Sequence, residues 1–284
     1  MNIFKRMNKK KKKICILYGN CVGKALVKFL KRKREFLDTY EIIHIRSFIH
    51  PTEGAARVPF DTVKNCSLFL FQRGHLQYPE FYSRLPSNCR IISFPILRFT
   101  SLWPLERRDP RSKPEPEKGY ISGKYPYGDL LVMKLLKRGL AVEQIFEQYI
   151  STKLSDVIDI DKIHKRNLIA MKELDAKCDL PLNWYVEKNF TKERLFLTPN
   201  HPTTELITMQ VNLILNSIGM NGLSLSVENK IKKKPPLQRI HHPVHPQVIR
   251  HFNLQWIDIN AKYRHYDFGW FGFEEFLKRY IELK

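Results

Sequence analysis

An α/β fold, with a parallel sheet in the N-terminal part and a predominantly helical C-terminal part, is what this sequence predicts. Three observations predict it. Four short apolar runs recur within the first hundred residues, at 14–18, 41–46, 67–72 and 90–94. Between the first two, Val22, Ala25, Leu26, Phe29, Leu30 and Leu37 follow helical spacing, so one helix is expected over 22–37. Beyond residue 130, apolar residues recur at helical spacing over 130–140, 142–149, 157–176, 203–218, 246–252 and 273–283.

Strands that alternate with helical patterns imply βαβ units, whose crossovers place helices on the faces of a parallel sheet. The crossovers at 53–64 and 77–86 are shorter and more broken than the first. Ligands on such sheets bind beyond the carboxyl ends of the strands. Residues 19–23, 72–75 and 94–99 each follow a proposed strand, so they are expected to meet on one rim. Pro104, Arg107, Arg108, Pro110, Lys113, Pro114 and Pro116 mark 100–126 as a loop or flap. The expected organisation is a basic, disordered N-terminus over 1–13, an α/β domain over 14–225, and a tail over 226–284. That tail has a charged, proline-containing break at 230–236 and then helices packed on the domain.

The composition narrows the functional classes. The chain has 284 residues, 43% of them hydrophobic and 12% aromatic, which is enough for a packed core. No run approaches the roughly 18 consecutive apolar residues of a membrane span. The apolar stretch after the basic start is about six residues long before Gly19-Asn20-Cys21 interrupts it, which does not fit a signal peptide. A cytoplasmic protein is expected, with a peripheral position at the inner face of the membrane as a further expectation. Five cysteines without CxxC spacing argue against a disulfide framework or a four-ligand zinc site. Cys15, Cys66 and Cys89 read as small buried hydrophobes. The formal charge is +21, with basic runs at 9–13, 31–34 and 230–234. Such runs suit anionic lipid, acidic glycans or phosphorylated ligands; solvated lysine faces are the alternative reading. No helix-turn-helix, RNP or zinc-finger pattern is present, so nucleic acid is not an expected partner.

The segment Tyr18-Gly19-Asn20-Cys21-Val22-Gly23-Lys24 carries the strongest chemical signal. It places a thiol where a strand turns into a helix, and the helix N-terminus favours a thiolate or a developing oxyanion there. Cys21 is the candidate nucleophile, or the neighbour of a thioester; an ordinary half-buried cysteine is the alternative. Gly19 and Gly23 would allow the tight turn and a close ligand approach. In Thr198-Pro199-Asn200-His201-Pro202-Thr203-Thr204, two prolines hold His201 at a helix entrance, a mount suited to a general base, and Thr203 or Thr204 caps the helix. In Tyr125-Pro126-Tyr127-Gly128-Asp129, Asp129 caps the following helix, or else orients a histidine or binds substrate hydroxyls. His241, His242 and His245 lack helical ligand spacing and nearby acids or thiols, so they read as a surface loop and no metal is expected. His265 and residues 266–273 are expected to pack the C-terminal helix.

Tyr18-Gly19-Asn20-Cys21, Gln72, Phe94-Pro95 leading to Trp103-Pro104, residues 125–129 and Asn200-His201-Pro202-Thr203 occur in this order, and with them residues 14–220 resemble the WcbI family of polysaccharide-biosynthesis proteins. The resemblance implies a Rossmann- or SGNH-like sheet joined to many helices. It also implies coenzyme A or acetyl-CoA as acyl donor and a sugar hydroxyl, free or lipid-linked, as acceptor. On that reading the chain is a capsule O-acetyltransferase in which Cys21 falls on the family's motif cysteine and His201 is the base. The oxyanion and substrate would be held by Gly19, Asn20, Gly23, Gln72 and Asp129, and the anionic parts of the cofactor by Lys24, Arg73, Arg98 and Asn200. No histidine lies between His75 and His164, so if the family's catalytic histidine belongs to the middle loop, Trp103 occupies that region and the chain departs from the family pattern there. Other polysaccharide-assembly enzymes are further expected partners. The Gly-Asn-Cys turn is also similar to the Gly-Asp-Ser turn of SGNH hydrolases, although Thr198 stands where those have an aspartate three residues before the histidine. Two rival functions follow: an SGNH-type acyl-ester hydrolase, and a non-catalytic protein that binds polyanions or glycans.

Overall fold

A computed structural model of the chain describes residues 11–47, 59–74, 79–233 and 235–283. The expected disorder of the N-terminus falls on residues of which 1–10 lie outside this set. In chain order the elements begin with β1 (Lys13–Gly19), α1 (Cys21–Leu30), α2 (Arg34–Thr39), β2 (Tyr40–Arg46), α3 (Phe60–Lys64), β3 (Cys66–Arg73) and β4 (Arg90–Pro95). There follow β5 (Glu106–Arg107), β6 (Gly128–Asp129), α4 (Leu130–Leu136), α5 (Val142–Ser151), α6 (Ile160–Asp175) and α7 (Asn183–Asn189). The chain ends with β7 (Phe196–Thr198), β8 (His201–Pro202), α8 (Thr204–Ser217), α9 (Leu225–Lys233), α10 (Pro246–His251), β9 (Tyr263–His265), β10 (Gly269–Phe271) and α11 (Phe273–Ile281). The described residues form two compact units. The first lies within Met1–Ile96, Leu174–Leu182 and Thr204–Pro236, the second within Leu97–Glu173, Asn183–Thr203 and Leu237–Lys284.

The first unit holds the four-stranded sheet, all parallel, in the order β2-β1-β3-β4. β1 lies between two neighbours, and its centre is sealed on both faces: Cys15, Ile16 and Leu17 are fully buried. This is why it reads as an unbroken apolar run and not as an alternation. One face packs Ile16, Ile45, Phe69 and Phe71 with Val63 of α3 and the thiols of Cys66 and Cys89. Cys15, Cys66 and Cys89 are all buried, as their apolar neighbours imply. Against the sheet, α1 packs beside α8, and α8 buries Leu206, Ile207, Val211, Ile214 and Leu215.

The expected helix over 22–37 is instead two helices. α1 stops at Leu30, Lys33 is extended, and α2 starts at Arg34. Residues 31–34 are four consecutive cations, which give a further turn nothing apolar to bury and place like charges side by side. The break expected over 230–236 also starts later, because α9 runs from Leu225 through Lys233 with Ile231 buried, and residues 235–236 lie outside any helix.

The second unit is largely helical with three two-stranded pairings, β5-β6, β7-β8 and β9-β10. The 100–126 segment is mostly loop, as expected, but a packed one and not a free flap: Ser101, Leu102, Trp103, Leu105, Asp109 and Tyr125 are buried within it. The Asn167 Oδ1 on α6 accepts the backbone N–H groups of Thr100 (2.8 Å) and Ser101 (3.1 Å), a side chain standing in for a missing strand partner. The histidines at 241, 242 and 245 are not a surface loop either. The Trp103 indole N–H donates to the carbonyls of His242 and Pro243, and Tyr127 and Phe276 pack on the His242 ring. His245 caps α10 through Nδ1, which accepts the N–H of Gln247 at 3.0 Å. Aromatic neighbours from distant parts of the sequence fold over this segment, which local reading could not see. His265 packs on Phe276 of α11, as expected, and stacks on Tyr125 at 4.6 Å.

Candidate active site

The order β2-β1-β3 makes the carboxyl end of β1 a topological switch point: the chain leaves β1 to one side for β2 and then crosses to the other for β3. Crevices for ligands form at such points. The turn Gly19-Asn20-Cys21 occupies this one. Three neighbours fix it. The Asn20 backbone N–H donates to Gln72 Oε1 on β3 at 2.8 Å. The Gly19 carbonyl accepts the N–H of Ser47 (3.1 Å) and lies 3.1 Å from His44 Nε2 on β2. The Asn20 Oδ1 accepts the N–H of Val22 at 2.8 Å and so caps α1.

The glycines leave room for these partners. A Cβ on Gly19 would stand 2.7 Å from Gln72 Oε1, and one on Gly23 would stand 2.9 Å from Leu17 Cδ2 and 3.3 Å from His44 Nε2. A side chain at Gly19 would therefore have to displace Gln72, and one at Gly23 would have to displace Leu17 and press on His44.

Cys21 begins α1 and is half-buried. Burial pushes its thiol above the ordinary range, while the backbone N–H groups of Val22 and Cys21 pull it down less strongly. The helix N-terminus therefore acts on the sulfur as expected, but the net direction is toward the protonated thiol. Asn20 spends both its N–H and its side-chain oxygen on the turn. Gln72 is buried, and its Nε2 has no hydrogen-bond partner among the described residues, so a donor remains beside the turn. Lys24 stands exposed one turn along α1. The Arg73 guanidinium donates to the carbonyl of Lys177 at 2.7 Å.

His44 was not among the residues singled out from the sequence. Its signal is a polar ring in the run Ile42-Ile43-His44-Ile45, near the carboxyl end of a strand that reaches the rim. Desolvation lowers its pKa, opposed by the Gly19 and Asn20 carbonyls and aided by Arg46 and Lys24.

The remaining candidates belong to the second unit. Burial lowers the pKa of His201, on β8, to about 4, so it is a neutral imidazole at neutral pH. Beside it in sequence, Asn200 Oδ1 accepts from Arg98 Nη1 at 2.7 Å, and Arg98 Nη2 pairs with Glu106 at 2.9 Å. Arg98 and Asn200 are thus bonded to each other. Asp129 caps α4 by accepting the N–H of Val132 (2.9 Å) and also accepts the Tyr149 hydroxyl (2.8 Å). Burial raises its carboxyl to about 6. Among the described residues, no group of three or more His, Cys, Asp or Glu side chains is placed to hold a metal ion.

The family model described as polysaccharide biosynthesis enzyme WcbI matches residues 14–223, the span from the start of β1 to just before α9. The chain belongs to the WcbI family. A solved structure of WcbI, a polysaccharide biosynthesis enzyme in its native form without a disulfide bond between coenzyme A and a cysteine, superposes with a TM-score of 0.71 at 20% identity. The match covers 96% of this chain and 90% of the other, and shows a shared fold. No curated protein matches the chain. No described helix is long and apolar enough to cross a membrane.

Proposed function

We propose that this WcbI-family enzyme transfers an acyl group, acetyl being the simplest, from a coenzyme A thioester to a hydroxyl of a capsular or surface-polysaccharide sugar. The observation that carries the reading is the Cys21 thiol at the first position of α1, facing the N–H groups of Cys21 and Val22 at the switch point of the sheet. That the WcbI of known structure is described in terms of coenzyme A and a cysteine supports the same ligand here.

In this scheme Cys21 Sγ gives up its proton and attacks the thioester carbonyl. The bond from the carbonyl to the coenzyme A sulfur breaks, that sulfur takes a proton, and the acyl group rests on Cys21. The sugar oxygen then attacks the acyl-cysteine, loses its proton and restores the thiol. Charge that develops on the carbonyl oxygen needs preorganised donors. The Gln72 Nε2, without a partner among the described residues, is the local supply, beside the positive end of the α1 dipole. Exposed Lys24 and Arg46 are the nearby cations for phosphate groups.

Calorimetry with coenzyme A and acetyl-CoA on the wild type and on Cys21→Ser, under reducing conditions, tests the reading. The expected result is binding by both proteins and a labelled acyl-enzyme from the wild type only. Absence of binding by either would overturn it. Cleavage of acyl esters without any affinity for coenzyme A would replace it with the hydrolase reading.

A further inference from the structure

The basic runs of the sequence are far apart along the chain, yet the topology gathers two of them, together with Lys64 and Arg90, on one edge of the first unit's sheet. All four strands are parallel, so all begin at the same edge, opposite the rim that holds Cys21. The lysines at 11–13 lead into and open β1 there. α1 starts at the thiol rim and must return to this edge for β2 to run parallel to β1. It therefore delivers the Lys-Arg-Lys-Arg run at 31–34 to the same place. Lys64 ends α3 two residues before β3 begins, and Arg90 is the first residue of β4.

Carboxylates answer only part of this charge. Glu35 lies 3.3 Å from Lys33 and Asp38 lies 3.8 Å from Arg34, while Glu41 and Asp61 are the other acids near the edge. Lys33 also donates to the Gly222 carbonyl, Arg90 to that of Ser217, and Lys64 sits over the Phe60 ring. The three lysines at 11–13, with Lys31 and Arg32, are exposed and make no ion pair among the described residues. The sequence adds Lys5, Arg6, Lys9 and Lys10 immediately before them. α1 itself contains no acid, and its exposed positions Lys24 and Lys28 extend the same charge along its outer face.

We infer that this edge docks the enzyme on a bilayer containing anionic phospholipid. Lysine is the dominant cation, and a strongly hydrated point charge suits a diffuse layer of headgroups, each basic residue adding to a shared surface attraction. Recognition of nucleic acid would instead call for arginine forks and aromatic rings interleaved with the charge. The inference is independent of the cysteine chemistry, and Cys21→Ser is expected to leave docking unchanged.

Sedimentation of the full chain with phosphatidylcholine vesicles, with and without about 30% phosphatidylglycerol, tests it. Binding is expected only with the anionic lipid, and is expected to fall at least about tenfold between 50 and 500 mM salt. Changing Lys11, Lys12, Lys13, Lys31 and Arg32 to Gln together should weaken binding by at least about tenfold. A control with the same loss of charge in the second unit, at Lys134, Lys137, Lys162, Lys165 and Arg166, should bind like the wild type. Far-ultraviolet circular dichroism establishes that both variants are folded. Equal loss in the two variants would overturn the inference in favour of bulk charge. So would equal binding to neutral vesicles, or displacement of the protein from vesicles by polyuridylate at matched charge.

Discussion

Lowering the pH from 7 to 5 should unfold the second unit selectively. Burial holds His201, His241, His245 and His265 at about 4 and His242 at about 3, and all five lie in that unit. In the unfolded chain each returns to about 6.5. Between about pH 6.5 and pH 4 the unfolded chain therefore binds more protons than the folded one, and stability falls as the pH falls through that window. A histidine that moves from about 6.5 to about 4 on folding loses roughly 2 kcal/mol of stability by pH 5. Discounting the partly exposed rings by half leaves a combined loss on the order of 5 to 10 kcal/mol, comparable to the whole stability of a domain. Asp129 works in the opposite sense: its raised carboxyl at about 6 becomes easier to bury as the pH drops. It returns only about 1 kcal/mol over the same interval. All four tryptophans of the chain, Trp103, Trp184, Trp256 and Trp270, belong to the second unit, so indole emission reports on it alone. Urea titrations followed by tryptophan emission should show a midpoint that falls steeply between pH 7 and pH 5. A midpoint constant across that range would refute the burial of these rings as neutral imidazoles.

Further expectations concern the turn. Alkylation of Cys21 by iodoacetamide, scored by mass spectrometry, should reach half its limiting rate above the pH of free cysteine, because burial outweighs the two amides; a midpoint below that of free cysteine would reverse this balance. Gly19→Ala should press on Gln72 Oε1, break its bond to Asn20, lower stability by about 1–3 kcal/mol and abolish coenzyme A binding in calorimetry. Unchanged thermal denaturation would count against the clamp. His44→Leu removes the donor to the Gly19 carbonyl and should cost about 1 kcal/mol and slow acyl-enzyme formation, whereas His44→Gln, which keeps a donor, should recover most of both. Failure of the glutamine to outperform the leucine would remove His44 from the positioning of the turn.

The strands were legible because a buried parallel strand is an unbroken apolar run, and Cys15, Ile16 and Leu17 have no solvent-facing alternate. The thiol at the turn was legible too, because the motif is contiguous. The clamp around it was only partly visible. Gln72 could be named from the resemblance, but its bond to Asn20 depends on β3 lying beside β1. His44 needed β2 on the other side. The histidines at 241, 242 and 245 read as surface because their ring neighbours, Trp270 for His241, Tyr127 and Phe276 for His242 and Tyr149 for His245, stand far from them in the chain.

The sequence by itself therefore determined the sheet, most of the helices and the place of Cys21, all set by contacts or patterns within a few residues. The tertiary structure decided what the thiol's protonation balance is, which groups hold the turn, and that cationic runs distant in sequence share one edge. Those outcomes depend on desolvation and on strand order, which are properties of the packed chain and not of any single segment.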